Sequence, residues 1–273
     1  MAQDPYIIKN PPKYKPTNNK VKYIVEIITE VKNNTSSKTY DLAIEYNTSH
    51  QFLWTVSNLK INHSKIYSKV EELFLKVNTP LHHLDFVTNE FGTITHLMNN
   101  KDILKQWERT KEIISHEFSG AEVNQMIYQI DKIYQNEKLL MQAINKDLIV
   151  RLFFENFLNE NLIYGGESYG NTNLTSYIQG LSIPIKIARH LQLEQNDLDL
   201  KTNHTIDKIN LNVATIKNKY NIEHLEPDEI NYSRNAHMLL DYNSVWMKSA
   251  KVEQKFSVGE HYFKNKILIL KSI

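Results

Sequence analysis

The sequence predicts an α+β fold: a mainly antiparallel, twisted or curved β-sheet made by strands near both ends of the chain, with a central helical layer packed on one face. Three observations predict it. Apolar residues alternate with period two over residues 21–62 and again over 181–273. Between 100 and 158 they step by three and four. Strands and helices come in runs, not in the βαβ alternation that builds parallel sheets.

The elements follow in order. Residues 1–20 read as a flexible basic arm, in which Pro5, Pro11, Pro12 and Pro16 favour extended backbone. A single domain is expected over 21–273. Val21, Tyr23, Val25, Ile27 and Val31 share one face of a strand; Tyr40, Leu42, Ile44 and Tyr46 share one face of the next, with the polar stretch 33–38 as the loop between them. Phe52 to Ile61 is a third strand. Helix and hairpin fill 64–98: Ile66, Leu73, Phe74 and Val77 mark an amphipathic helix over 64–77, ended by Pro80, and the hairpin Leu84–Thr88/Thr93–Met98 turns at Gly92. A helical layer spans 100–158. It begins at a cap from Asn99 or Asn100, breaks at Ser119-Gly120, and carries Trp107, Ile114, Ile130 and Ile144 on its apolar sides. Strands return at 181–273: Leu181 to Leu193, with Pro184 marking an edge or bulge, then Ile209 to Val213, then a terminal meander.

Composition excludes several classes of function. The chain has 273 residues, 32 basic and 31 acidic side chains, and no cysteine. Near neutrality gives no general attraction to nucleic acid or anionic lipid. Without cysteine there is no disulfide, thiolate nucleophile or cysteine-based metal site. No secretory h-region and no run of about 18 apolar residues is seen, so no transmembrane segment and a cytoplasmic location are expected.

Residues 166–170 spell GESYG, the G-x-S-x-G string of a nucleophile elbow, and resemble the nucleophile motif of serine carboxypeptidases over those five residues. An elbow needs a strand, a sharp turn and a helix on a mostly parallel sheet. Here a helix end and a polar loop are expected around Ser168, with Gly165, Gly166 and Gly170 as a mobile connection. Asp207, Asp228, Asp241 and His261 lie downstream in a triad-compatible order. The expectation is no catalytic residue, with Ser168 the one alternative. His82-His83-Leu84-Asp85 places only His83 and Asp85 on one strand face, too few ligands for a catalytic metal, so no metal and no cofactor are expected. The pairs Glu71/Glu72 and Asp197/Asp199 read as solvated. Lys9, Lys13, Tyr14, Lys15, Lys20 and Lys22 form the candidate partner-binding set, all lysine and tyrosine without arginine.

The leading functional expectation is therefore a non-catalytic protein-binding, scaffold or accessory protein of a larger assembly. The alternatives are a serine hydrolase using Ser168 and a carrier of a small hydrophobic ligand held on the concave side of the sheet.

Overall fold

The computed structural model describes residues 20–32, 34–47, 50–63, 69–89, 93–154, 167–174, 181–244 and 246–273. Among the described residues eleven strands form one antiparallel sheet: β1 (Lys20–Val31), β2 (Asn34–Tyr46), β3 (Gln51–His63), β4 (His83–Thr88), β5 (Ile94–Leu97), β6 (Glu167–Leu174), β7 (Ile183–Glu194), β8 (Asp197–Ile206), β9 (Ile230–Asp241), β10 (Met247–Val258) and β11 (Tyr262–Ser272). Their order is β5-β4-β3-β2-β1-β11-β10-β9-β8-β7-β6. Each half is a meander, and the halves join where β1 pairs with β11, from Tyr23 opposite Ser272 to Val31 opposite Lys264. Six helices accompany the sheet: α1 (Lys69–Asn78), α2 (Asn100–Glu117), α3 (Ala121–Tyr134), α4 (Glu137–Asn145), α5 (Leu148–Phe154) and α6 (Val213–Tyr220).

The buried apolar residues of the strands share one face, called the inner face below. Register shows this directly: Val25 lies opposite Leu270, Leu270 opposite Ala250, Ala250 opposite Met238, Met238 opposite Leu200, and Leu200 opposite Leu191. Directly opposed residues point the same way, so this row crosses six strands on one side. The main core joins these residues to Trp107, Ile114, Tyr134 and Leu140 of the helices. α5 supplies the aromatic contact with the sheet. The Phe153 ring sits 5.0 Å from Tyr23 and 5.7 Å from Trp54, and Phe154 sits 4.9 Å from Phe52 and 5.5 Å from Phe86. A second cluster gathers Ile216 of α6 with Ile183, Ile230, Tyr232, Phe256 and Val258. By register, those sheet residues lie further along the same face.

Several expectations need correction. Residues 34–38 are strand, and the first hairpin closes tightly through Lys32, whose φ of 54° is left-handed. Asn99 precedes α2 but makes no side-chain cap; its Oδ1 accepts from Asp85 N at 2.9 Å and its Nδ2 donates to His83 O at 2.9 Å, fastening the helix start to β4. The second expected helix is two. Asn136 ends one and caps the next by accepting from Leu139 N at 3.1 Å. Asp147 starts α5 in the same way, accepting from Ile149 N at 2.8 Å and Val150 N at 3.2 Å. Pro184 is in no edge strand, because β7 lies between β6 and β8; it occupies the second position of β7 and its carbonyl accepts from Asp207 N. The strand expected over Ile209 to Val213 is absent: residues 207–212 are turn and coil, Val213 opens α6 behind the cap of Asn212, and the strand lies before them as β8. β8 escapes a hydrophobicity reading because its buried face includes Thr202 and His204.

One edge of the sheet is closed by side chains. Asn145 of α4 accepts from Ile94 N and donates to Ile94 O, both at 3.2 Å, imitating a neighbouring strand along β5. Phe153→Ala is expected to lower unfolding free energy by about 3–5 kcal/mol, since it empties the contact between α5 and two strands. Urea denaturation with the slope unchanged is the measurement that checks it.

Candidate functional site

The inner face is apolar at both ends and polar between them. One transverse row reads Thr29, Lys266, Gln254, Arg234 and His204 on β1, β11, β10, β9 and β8, each directly opposite the next. Gln254, Arg234 and His204 are 5%, 3% and 5% exposed, as deeply buried as the leucines around them. The row on one side carries Leu268, Val252, Ala236 and Thr202; the row on the other carries Lys264, Phe256 and Tyr232. Gln254 Nε2 lies 3.5 Å from the Tyr232 hydroxyl. Thr202 Oγ1 is buried with no hydrogen-bond partner among the described residues.

Lysine ammonium groups crowd one end of this row. Lys38 of β2 shares the face, being opposite Ile27, which is itself opposite Leu268. Its Nζ stands 5.1 Å from the centre of the Tyr40 ring. Burial lowers the pKa of Lys38, and Lys266 lowers it further, while the Asp147 carboxylate opposes the shift. Burial also lowers Lys266, again opposed by Asp147, and burial followed by repulsion from Lys266 lowers Lys264. Asp147 thus performs two tasks, capping α5 and countering two lysines. The three lysines keep partial access to solvent.

The outer face has a groove of about 490 Å³ over β6 to β10. Its lining includes His190, Lys201, His237 and Lys251, with Ala188, Asn203 and Asn235 beside them. Asp199, 6% exposed, borders two of these groups: His237 Nε2 is 2.8 Å from Asp199 Oδ1, and Lys201 Nζ is 3.1 Å from Oδ2. Asp199 was expected to be solvated and is buried instead, because β8 lies inside the sheet, between β7 and β9, and Lys201 meets its charge. Asp197 pairs with Lys248 at 2.5 Å.

Ser168 lies within β6, opposite Arg189 of an antiparallel neighbour, and Gly170 lies opposite Ile187. The expected loop is therefore strand over 167–174, and no helix follows Ser168 directly. Its Oγ is buried without a hydrogen-bond partner among the described residues. The downstream acids and His261 are set apart from it by register. Ser168, Arg189, Thr202 and Ala236 form one row, whereas Asp207 N bonds Pro184 O, five residues along β7 from Arg189. Five residues of strand span about 16 Å. Asp241 lies opposite Asp197, five residues from Thr202 in the other direction. Asp207 holds the turn after β8, with Asn210 Nδ2 at 2.7 Å; that bond keeps its carboxyl below the usual range. Asp228 binds Lys208 at 2.8 Å, Asp241 binds Ser244 N at 2.8 Å, and His261 lies in the β10–β11 turn.

The other expected groups are also dispersed. His82 belongs to the short 3-10 turn before β4; His83 Nδ1 is 3.2 Å from Thr55 Oγ1, and Asp85 accepts from Gln51 Nε2 at 2.6 Å. No group of three or more His, Asp or Glu suited to a metal ion occurs among the described residues. Glu72 is 3.9 Å from Lys76, and the side chain of Glu71 lies outside the described residues. Lys9, Lys13, Tyr14 and Lys15 lie outside the described residues as well. Lys20 and Lys22 belong to β1, where Lys20 bonds Glu45. Among the described residues no helix is long and apolar enough to cross a membrane.

No family model matches the chain, and no curated protein matches it. Among solved structures it is similar to one described as lipid–protein interactions in lipovitellin, at 11% identity and a TM-score of 0.47, over 95% of this chain and 25% of that one. A second is the dehydratase domain from the CurJ module of curacin polyketide synthase, at 10% identity and a TM-score of 0.12, over 92% of this chain and 76% of that one. The chain thus spans a quarter of the lipovitellin chain it matches.

Two outcomes are expected for the interior and the edge strand. Lys266→Met should be neutral to about 1 kcal/mol more stable at pH 7, because a desolvated ammonium is replaced by an apolar group of similar length. The wild type should gain stability with rising pH between the lowered folded pKa and the unfolded value, since the unfolded lysine binds the proton more tightly there; thermal melts from pH 7 to 10 should show this slope reduced in the variant. Ser168→Ala should melt at or slightly above the wild-type temperature, since it removes a buried hydroxyl that has no partner among the described residues. Fluorophosphonate labelling of wild-type Ser168 would contradict that reading of the hydroxyl.

Proposed function

We propose that this protein is a non-catalytic binding protein whose inner face receives a small amphiphile with an acidic head. The observation that carries this is the basic and polar row set between two apolar clusters on one face of the sheet. Buried cations are costly unless they are paired. An acidic head beside Lys38 and Lys266 would favour their charged forms, and the Thr202 hydroxyl, without a partner among the described residues, offers a further hydrogen bond. The ligand's apolar part would then lie against neighbouring aliphatic rows. The same reading has α2 to α5 lying together as a layer over this face. Its support is the edge-to-face contact of Phe153 and Phe154 with sheet aromatics and the shared core. The cysteine-free composition is compatible with a cytoplasmic setting.

The test uses the full chain and a fluorescent long-chain carboxylic acid, with its methyl ester as the control. Saturable binding of the acid, at least tenfold weaker for the ester and for Lys38→Met/Lys266→Met, is the expected result. Equal binding of acid and ester, or none of either, overturns the proposal.

A protein-binding or scaffold role for the arm is the second reading, supported by the cluster Lys9, Lys13, Tyr14, Lys15, Lys20 and Lys22 in the sequence. Recovery of the same partners by the chain lacking residues 1–19 would count against it.

A further inference from the structure

The outer face carries a second constellation that the amphiphile reading does not use. His190 of β7, Lys201 of β8, His237 of β9 and Lys251 of β10 stand directly opposite one another, in that order, across four neighbouring strands. Strand spacing puts consecutive members about 4.8 Å apart. Opposite charges commonly face one another across strands, yet here two lysines alternate with two histidines in one line with no acid between them. Elsewhere on the sheet surface opposite charges meet across strands, as Lys20 does with Glu45 and Lys248 with Asp197. Asp199 lies in the adjoining row, buried: Lys201 Nζ stands 3.1 Å from its Oδ2, and His237 Nε2 stands 2.8 Å from its Oδ1 without a hydrogen bond to it, so the carboxylate borders both groups.

The acids around the line set its length. Glu167 lies opposite His190 at one end and is bonded to the Tyr169 hydroxyl. At the other end Lys251 is followed by Ile269 and then Glu26. Glu253, diagonal to the line, pairs with Lys255 at 2.8 Å. A long polyanion laid along the row would run onto carboxylate at either end, so the groove suits a small ligand and not a nucleic-acid strand. Lysine and histidine supply point-like donors and not the planar fork that pairs with a carboxylate. A tetrahedral, doubly charged group accepts from such donors in any direction. The groove volume of about 490 Å³ is of the size that takes an organic molecule, and Asn203 and Asn235 line it with amide donors and acceptors.

We propose that this outer groove is a binding site for a small phosphomonoester, held by Lys201, Lys251, His190 and His237. Its phosphate can belong to a soluble metabolite or to a lipid headgroup presented by a bilayer.

Titration calorimetry of the full chain with glycerol 3-phosphate, with glycerol as the neutral control, tests the site. Co-sedimentation with phosphatidylcholine vesicles, with and without phosphatidic acid, tests the bilayer source. The expected result is saturable binding of the soluble phosphate or of the phosphatidic acid vesicles, lost at least tenfold in Lys201→Gln/Lys251→Gln and retained in Lys266→Met. Soluble binding assigns the metabolite source; binding to vesicles alone assigns the headgroup. Lys251 is exposed, and a glutamine at position 201 can still donate to the buried Asp199 that Lys201 meets at 3.1 Å, so the double variant is checked first to melt as the wild type does. If it does not, His190→Gln supplies the same comparison. No binding in either arm, binding unaffected by the groove variants, or loss in Lys266→Met alone overturns the proposal. The last outcome would assign the anion to the interior row and leave the amphiphile reading standing.

Discussion

The hydrogen-bonded seam between β1 and β11 is the constraint on which the rest of the structure depends. It pairs the first described strand with the last and sits at the middle of the sheet, with four strands beyond β1 and five beyond β11. Every other neighbouring pair of strands is also consecutive in the chain and pays only for a local connection or an intervening helical segment. The seam must close nearly the whole chain, and loop-closure entropy has to be met by the contacts it creates. It meets that cost by merging two apolar faces. Val25 and Leu270 become neighbours, and the six-strand aliphatic row from β1 to β7 exists only because they do.

One-sided burial follows from the seam, and so does its exception. The inner-face residues are buried in two clusters, the main one shared with apolar residues of α2 to α5 and the second with Ile216 of α6. Between the clusters the alternation continues without a break in geometry but changes in chemistry. β9 places Arg234 where Tyr232 and Ala236 lead a reader to expect another apolar residue, and β10 does the same with Gln254 between Val252 and Phe256. Polar residues in register across five strands form a designed-looking band because register is set by the apolar rows on either side; a slip of one residue would turn the whole band outward. The band therefore costs stability that its neighbours offset, a pattern that functional groups in proteins often follow.

The two faces are chemically independent although they share a backbone. Arg234 and Asn235 are adjacent in the chain and point to opposite sides, one into the interior row and one into the outer groove. Substitutions on one face can therefore be read separately from the other. The motif-like string GESYG meets the same rule: its serine and tyrosine alternate sides of an edge strand, and neither is raised on a turn.

By itself the sequence determined the strand-rich ends, the helical middle, the hairpin at 83–97 and the antiparallel habit, because period-two and period-3.6 patterns are local and survive without partners. The finer divisions at Asn136 and Asp147 were written in capping residues but hidden by continuous apolar spacing on both sides. β8 was hidden because Thr202 and His204 occupy buried positions that hydrophobicity cannot flag. Neither candidate site was legible in one dimension. Lys38, Lys266, Arg234 and His204 are separated by up to 228 positions in the chain, and so too the groove residues come from four strands. Only tertiary structure decided these neighbours, since strand order and register are fixed by long-range pairing, above all by the first strand meeting the last.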